Sequence, residues 1–204
     1  MKNNNERLRE IFARLDGLDY VKPEQIPNID LYMDQVTTFM DEHLEKSKRY
    51  PEDKVLTKTM INNYAKNNLL PPPIKKKYSR EHMLLLIFIY YFKNMLAFSD
   101  IETLFQPITE EHFMESSKLS LQDIYDQIFS LEKDQMKKLK EDLIRKFRLS
   151  QTIFTDQDEE DREYLQLFAF ICAMGFDVYL KKQIMELLID EIREEHPPTG
   201  KKKK

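Results

Sequence analysis

The stretch Leu56-Thr57-Lys58-Thr59-Met60-Ile61-Asn62-Asn63-Tyr64-Ala65-Lys66-Asn67-Asn68-Leu69-Leu70-Pro71 divides into two faces when wound as a helix. Met60, Ile61, Tyr64, Ala65 and Leu69 recur at helical spacing and make an apolar side. Lys58, Thr59, Asn62, Asn63, Lys66 and Asn67 make a polar side that contains no acid. Asparagine and threonine are weak helix formers, so propensity gives no reason to gather them here. Base reading does, because an Asn amide can pair with two atoms of an adenine edge and Lys can reach guanine or a phosphate. An ordinary solvated face would carry Glu. The polar side is therefore read as a surface for duplex DNA, with helix 58–68 as the reading element.

Directly after it comes Pro71-Pro72-Pro73-Ile74-Lys75-Lys76-Lys77-Tyr78-Ser79. The prolines stop the helix and hold the backbone extended. Lys75, Lys76 and Lys77 are expected to project from this stiff loop, 71–79, and to lie along phosphates, fixing register without reading sequence. Tyr78 is grouped with them as a contact residue. Charge agrees: residues 57–99 carry 7 basic and 1 acidic side chains in a chain of net charge −4. Local depletion of acid is what a polyanion-binding surface needs.

Outward from this segment the chain is patterned for helices. It has only three glycines, so neither phosphate-cradling glycine loops nor the turn chemistry of β-hairpins is expected, and the fold class is all-α. A short helix is predicted within 1–20, then one from Asn28 or Asp30 to about Lys46. Another runs from a Ser79 cap to about Ala97, and a short one from Ser99 to Phe105 is broken by Pro107. Leu121 to Phe147 reads as one long amphipathic stretch, with an irregular gap between Leu131 and Met136. Tyr164 to Leu180 is apolar almost all round and is expected at the centre of a second core, with Gly175 marking a close crossing or a bend. A last helix covers about Val178 to Glu195. Cys172 is read as a buried packing residue. The expected organisation is an N-terminal arm (1–25), a DNA-binding domain (26–106), a helical dimerisation or sensor domain (107–196) and a disordered basic tail (197–204).

The run TMINNYAKNNLLPPPIKKKYSREHMLLLIFIYYFKNMLAFSDIETLF resembles the MerR-type winged helix-turn-helix. In that family a helix ending in tyrosine and a Gly-Leu-Leu-Pro turn lead to a basic wing with Arg-Tyr-Ser, a helix, and a Gly-Phe-Ser-x-x-Glu-Ile motif. Tyr64, Leu69, Leu70 and Pro71 match the first part; Lys77, Tyr78 and Ser79 match the wing; Phe98, Ser99 and Ile101 match the last. Asn68 stands where that family places glycine and tolerates the same left-handed backbone. Asn62 replaces an arginine. Residues 26 to 106 also resemble an uncharacterised bacterial domain family sharing the pattern LYMDQV…TKTMINNY…KKKYS. The resemblance implies a MerR-like winged helix-turn-helix followed by a helical C-terminal domain, hence a sequence-specific transcriptional regulator.

Other classes find little in the sequence. His43, His82, His112 and His196 have no ligand spacing, and no Cys-x-x-Cys or His-Glu-x-x-His occurs. No catalytic residue, metal or cofactor is expected. Met1 to Glu6 has no apolar signal core, and the apolar run Met83 to Phe92 is about half the length a bilayer crossing needs. The expected setting is cytoplasmic, away from membranes, with double-stranded DNA as partner. Pairing into a homodimer is expected from residues beyond Ser120, since one winged unit reads few base pairs. No feature supports a small-molecule effector; a pocket, if present, would lie around Phe168, Phe170 and Met174. The rival reading is a helical protein-interaction module with no DNA binding, using Met83 to Phe92 as an obligate interface.

Overall fold

The computed structural model describes residues 3–18, 20–114 and 118–197, and within them all side chains but those of 132–134. Its helices are α1 (Asn4–Asp16), α2 (Met33–His43), α3 (Lys58–Lys66), α4 (Arg80–Phe92), α5 (Phe98–His112), α6 (Leu121–Ser130), α7 (Glu132–Ser150) and α8 (Glu159–Glu195). Two strands of two residues, β1 (Leu31–Tyr32) and β2 (Lys77–Tyr78), pair antiparallel with Leu31 opposite Tyr78. The fold class is all-α, as the sequence patterning predicts. Two compact units form: Met1–Asp19 with Ser130–Gln183, and Tyr20–Phe129 with Ile184–Lys204. The boundary expected after residue 106 falls inside the second, because α6 sends Leu121 and Tyr125 into the same core as α4. The expected basic tail beyond Pro197 lies outside the described residues.

In the unit built on 20–129, α4 is the central element. Met83 to Ile89 are all buried. Phe88 packs on Phe105 of α5 and on Tyr125 and Phe129 of α6, with ring centroids 5.9, 5.3 and 5.7 Å apart. Val36 and Met40 of α2 and Ile61 and Tyr64 of α3 join the same cluster. Burying a Leu, Ile or Phe is worth about 1.5–3 kcal/mol, which is why a helix apolar on every side ends in the middle of its unit. The expectation that Met83 to Phe92 has surface left over for an interface is corrected here, since the unit's own core covers it.

Element ends also depart from expectation. Helix α2 starts at Met33, where the Gln35 side chain accepts the Tyr32 N–H at 2.9 Å, because Leu31 and Tyr32 are taken into β1. Helix α4 ends at Phe92, and α5 runs through Pro107 to His112. A proline inside a helix costs about 3 kcal/mol, but Leu104, Phe105 and Ile108 on either side of it pack against the core and offset that loss.

The other unit is built from α1, α7 and the first part of α8. Leu143, Phe147 and Phe170 form its small core, with Leu8, Phe12, Leu15 and Met174 against them. The stretch 121–147, expected as one helix, is two, with the break at Leu131 inside the irregular spacing. Helix α8 overturns two further expectations. It is one helix of 37 residues rather than two. Its apolar segment is not central to a core: Phe170 is 3% exposed, but Phe168 is 54% and Phe176 69% exposed. Cys172 is half-buried rather than buried. Phe168 points away from the core that holds Phe170, so the pocket expected around Phe168, Phe170 and Met174 does not form. An apolar cavity of about 510 Å³ lies elsewhere, in the other unit, between Phe88, Phe92, Leu104, Phe105, Ile124 and Phe129. Helix α8 also contains an 18-residue window of mean hydropathy 1.3, long and apolar enough to cross a membrane by length and composition.

Candidate nucleic-acid interface

Helix α3 begins at Thr57, whose hydroxyl accepts the Met60 N–H at 3.2 Å. Ile61 and Tyr64 are buried, and Tyr64 stacks on Phe98 at 6.2 Å. Lys58, Thr59, Asn62, Asn63, Lys66 and Asn67 are all exposed. The two faces therefore fall where the residue spacing puts them. At the C-terminus Asn68 takes φ 62°, and the Leu69 N–H reaches the Tyr64 carbonyl at 2.9 Å. This is a Schellman turn, with Asn in the place glycine usually fills. Asn67 is the C-cap residue, and its side-chain amide donates to the Asn63 carbonyl at 2.8 Å. It serves the helix end more than the outward face.

The turn delivers the chain to Pro71, whose carbonyl is fixed from below. His82 Nε2 lies 3.1 Å from it, while His82 Nδ1 accepts the Ser79 N–H at 2.9 Å. A carbonyl can only accept, so Nε2 carries the proton and the ring is the neutral tautomer. Burial holds the His82 pKa below its usual value. One imidazole thus joins the proline turn to the start of α4.

Between these anchors the basic loop is a β-hairpin, which the scarcity of glycine argues against. Ile74 and Lys77 exchange both backbone bonds, N–H to O at 3.1 and 2.9 Å, around a two-residue loop. The loop residues are Lys75 and Lys76, at φ 50° and 65°. Two consecutive positive φ values are what the tightest hairpin turns demand, and Asn-Gly is their usual sequence. Lysine is held there at a steric cost of about 1–2 kcal/mol per residue.

The lysines then divide. Lys75 and Lys76 are exposed at the tip and form no ion pair among the described residues. Lys77 is half-buried, its ammonium 5.3 Å from the centroid of the Tyr32 ring. Tyr78 corrects the list of contact residues. It is 3% exposed, packs edge-on against His82 at 5.4 Å, and burial raises its phenol pKa. The alternation of a two-residue strand turns Lys77 outward and Tyr78 into the core.

Helix α2 ties the pieces together. Tyr32 caps it beside Lys77, and Asp34 in its first turn pairs with Lys58 at the start of α3. The hairpin base and the N-terminus of α3 thus meet the same end of α2. The Lys58–Asp34 pair is largely exposed and worth little, so a phosphate can compete for Lys58. Residue spacing misses Tyr32 and Ile74, the latter 75% exposed beside the tip. Ile74 follows the three prolines as a lone apolar residue, and Tyr32 becomes visible only through its strand pairing with Lys77, 45 positions on.

A family model described as a domain of unknown function, DUF1836, matches residues 21–128, which contain α2 to α5, the hairpin and most of α6. No curated protein matches the chain. No solved structure matches it either.

Proposed function

The chain belongs to the DUF1836 family, and we propose that it is a cytoplasmic transcriptional regulator that binds duplex DNA through a MerR-like winged helix-turn-helix. In this reading α3 enters the major groove and the 71–79 hairpin is the wing. Thr59, Asn62 and Asn63 read base edges; Lys58 and Lys66, with Lys75 and Lys76 at the wing tip, neutralise phosphates. Lys77 supports the wing through Tyr32 and is available at its flank. A homodimer, paired through the half beyond Ser120, would present two such units to a palindromic site.

One observation carries the reading. Two lysines occupy the left-handed tip of the hairpin, where Asn-Gly would sit without strain. Strain kept in an exposed turn has no use for the fold, and its location beside an acid-free helix face gives it a use in binding a polyanion. The test is a titration of labelled random-sequence duplex at several salt concentrations. Binding whose affinity falls linearly in log–log terms supports the reading, and binding that is absent at low salt refutes it.

A further inference from the structure

The first part of α8 is apolar on two sides: Phe170 and Met174 pack into its own unit, and a broader apolar face stands open. Its polar groups face its own unit: Gln166 donates to the carbonyls of Gln151 and Ile153 at 3.0 and 2.9 Å, and Asp177 holds Lys146 of α7 at 3.2 Å and Lys181 at 2.9 Å. The opposite side carries Tyr164, Phe168, Ile171, Phe176, Val178, Tyr179 and Leu180, each between 53% and 69% exposed. Between Tyr164 and Leu180 the one charged residue is Asp177, on the other side, and Lys182 ends the stripe four residues after Val178. Within this face Tyr164, Phe168, Ile171, Gly175 and Val178 follow one another at spacings of 4, 3, 4 and 3, the seam of a helix pair.

Gly175 has no intramolecular explanation. A Cβ built on it meets nothing within 4 Å, and its φ is not positive. Glycine is the poorest helix former after proline, so its place in the middle of a 37-residue helix needs a cause. A second helix crossing closely at that point supplies one.

We infer that α8 pairs with α8 of a second copy of this chain, the two helices crossing at Gly175. The inference rests on the reading of the protein as a paired regulator and names the surface that pairs it. Size agrees. Seven large side chains, each with over half of a roughly 200 Å² surface open, expose on the order of 800 Å², one partner's share of a standard interface. Charge separates this partner from a bilayer. Asp177 is tied to α7, whose Lys137, Lys138, Lys140, Arg145, Lys146 and Arg148 would have to accompany α8 into lipid. The first turn, Glu159, Glu160 and Asp161, would be repelled by anionic headgroups.

Sedimentation velocity of the full chain over a hundredfold concentration range tests this, with Gly175→Leu and Ile171→Glu beside the wild type. Position 175 is open within one chain, so Gly175→Leu keeps the far-UV circular dichroism of the wild type. The expected result is a wild-type dimer whose dissociation constant rises at least tenfold in both variants. A dimer indifferent to both substitutions places the interface elsewhere and overturns the proposal. A wild type that stays monomeric overturns it too, as does flotation with phosphatidylcholine–phosphatidylglycerol vesicles. Duplex binding measured on the same samples keeps the two readings apart, since a monomer that still binds DNA refutes only the pairing.

Discussion

The double substitution Lys75→Asn, Lys76→Gly acts on the hairpin tip in two opposite directions. Both positions have positive φ, which costs a side-chain-bearing residue about 1–2 kcal/mol each, so the wild-type tip holds about 2–4 kcal/mol. Asn-Gly fits the turn and releases most of that. Glycine gives back roughly 0.5–1 kcal/mol through the unfolded chain. The net gain is about 1–3 kcal/mol, a rise in Tm of about 2–12 °C for a chain of this size. Binding moves the other way. Two phosphate contacts vanish, and the log–log salt slope becomes shallower by about 1.8. Thermal unfolding by circular dichroism and fluorescence anisotropy with a labelled duplex read the two effects on one sample. A variant that is no more stable, or that binds with an unaltered salt slope, refutes the claim that this tip gives up stability to bind phosphate.

Alanine at Thr59, Asn62 or Asn63 should shift which duplexes are preferred, costing about 1–3 kcal/mol against the best site. Unaltered preferences in all three, from sequencing of bound duplexes, would place reading elsewhere. At position 68 the left-handed φ tolerates glycine, while Asn68→Val should lose about 1–2 kcal/mol in urea unfolding, and equal stability of the two would argue against the turn. Tyr78→Phe should leave DNA affinity within twofold, because the ring is buried, and a large selective loss of binding would return Tyr78 to the interface. His82 sets a pH dependence. Its folded pKa is lowered by burial, so the unfolded chain takes up the proton first. Its contribution is intact above the ordinary His value of about 6.5 and declines as pH falls below it towards the lowered folded pKa. His82→Gln should flatten the urea-midpoint profile below about pH 6.5; a wild-type profile already flat there contradicts the buried neutral ring.

Helix α3 was legible because its residues satisfy two constraints at once. The apolar positions from Met60 to Leu69 share the helix period, and Asn68 tolerates the backbone that ends it. The class of fold followed from the same periodicity. The hairpin was hidden because its conformation contradicts local preference: Lys-Lys does not announce a tight turn, and tertiary contacts hold it. Register was hidden too, since Leu31 and Tyr78 meet across 46 intervening positions. That pairing decides that Tyr78 is core and Lys77 is not. Helix α8 failed for another reason. Apolarity on all sides states that surface must be covered, and says nothing of what covers it. In α4 the cover is the unit's own core, while the apolar segment 164–180 of α8 stands open.

Selection of duplexes from a random library by the full chain tests the central claim most directly. The proposed winged helix predicts enrichment of one short motif, repeated in inverted orientation. It also predicts that Lys75→Glu, Lys76→Glu weakens binding to selected and random duplexes alike. A library that emerges unenriched from a folded protein, with no salt-sensitive affinity for any duplex, would contradict the account.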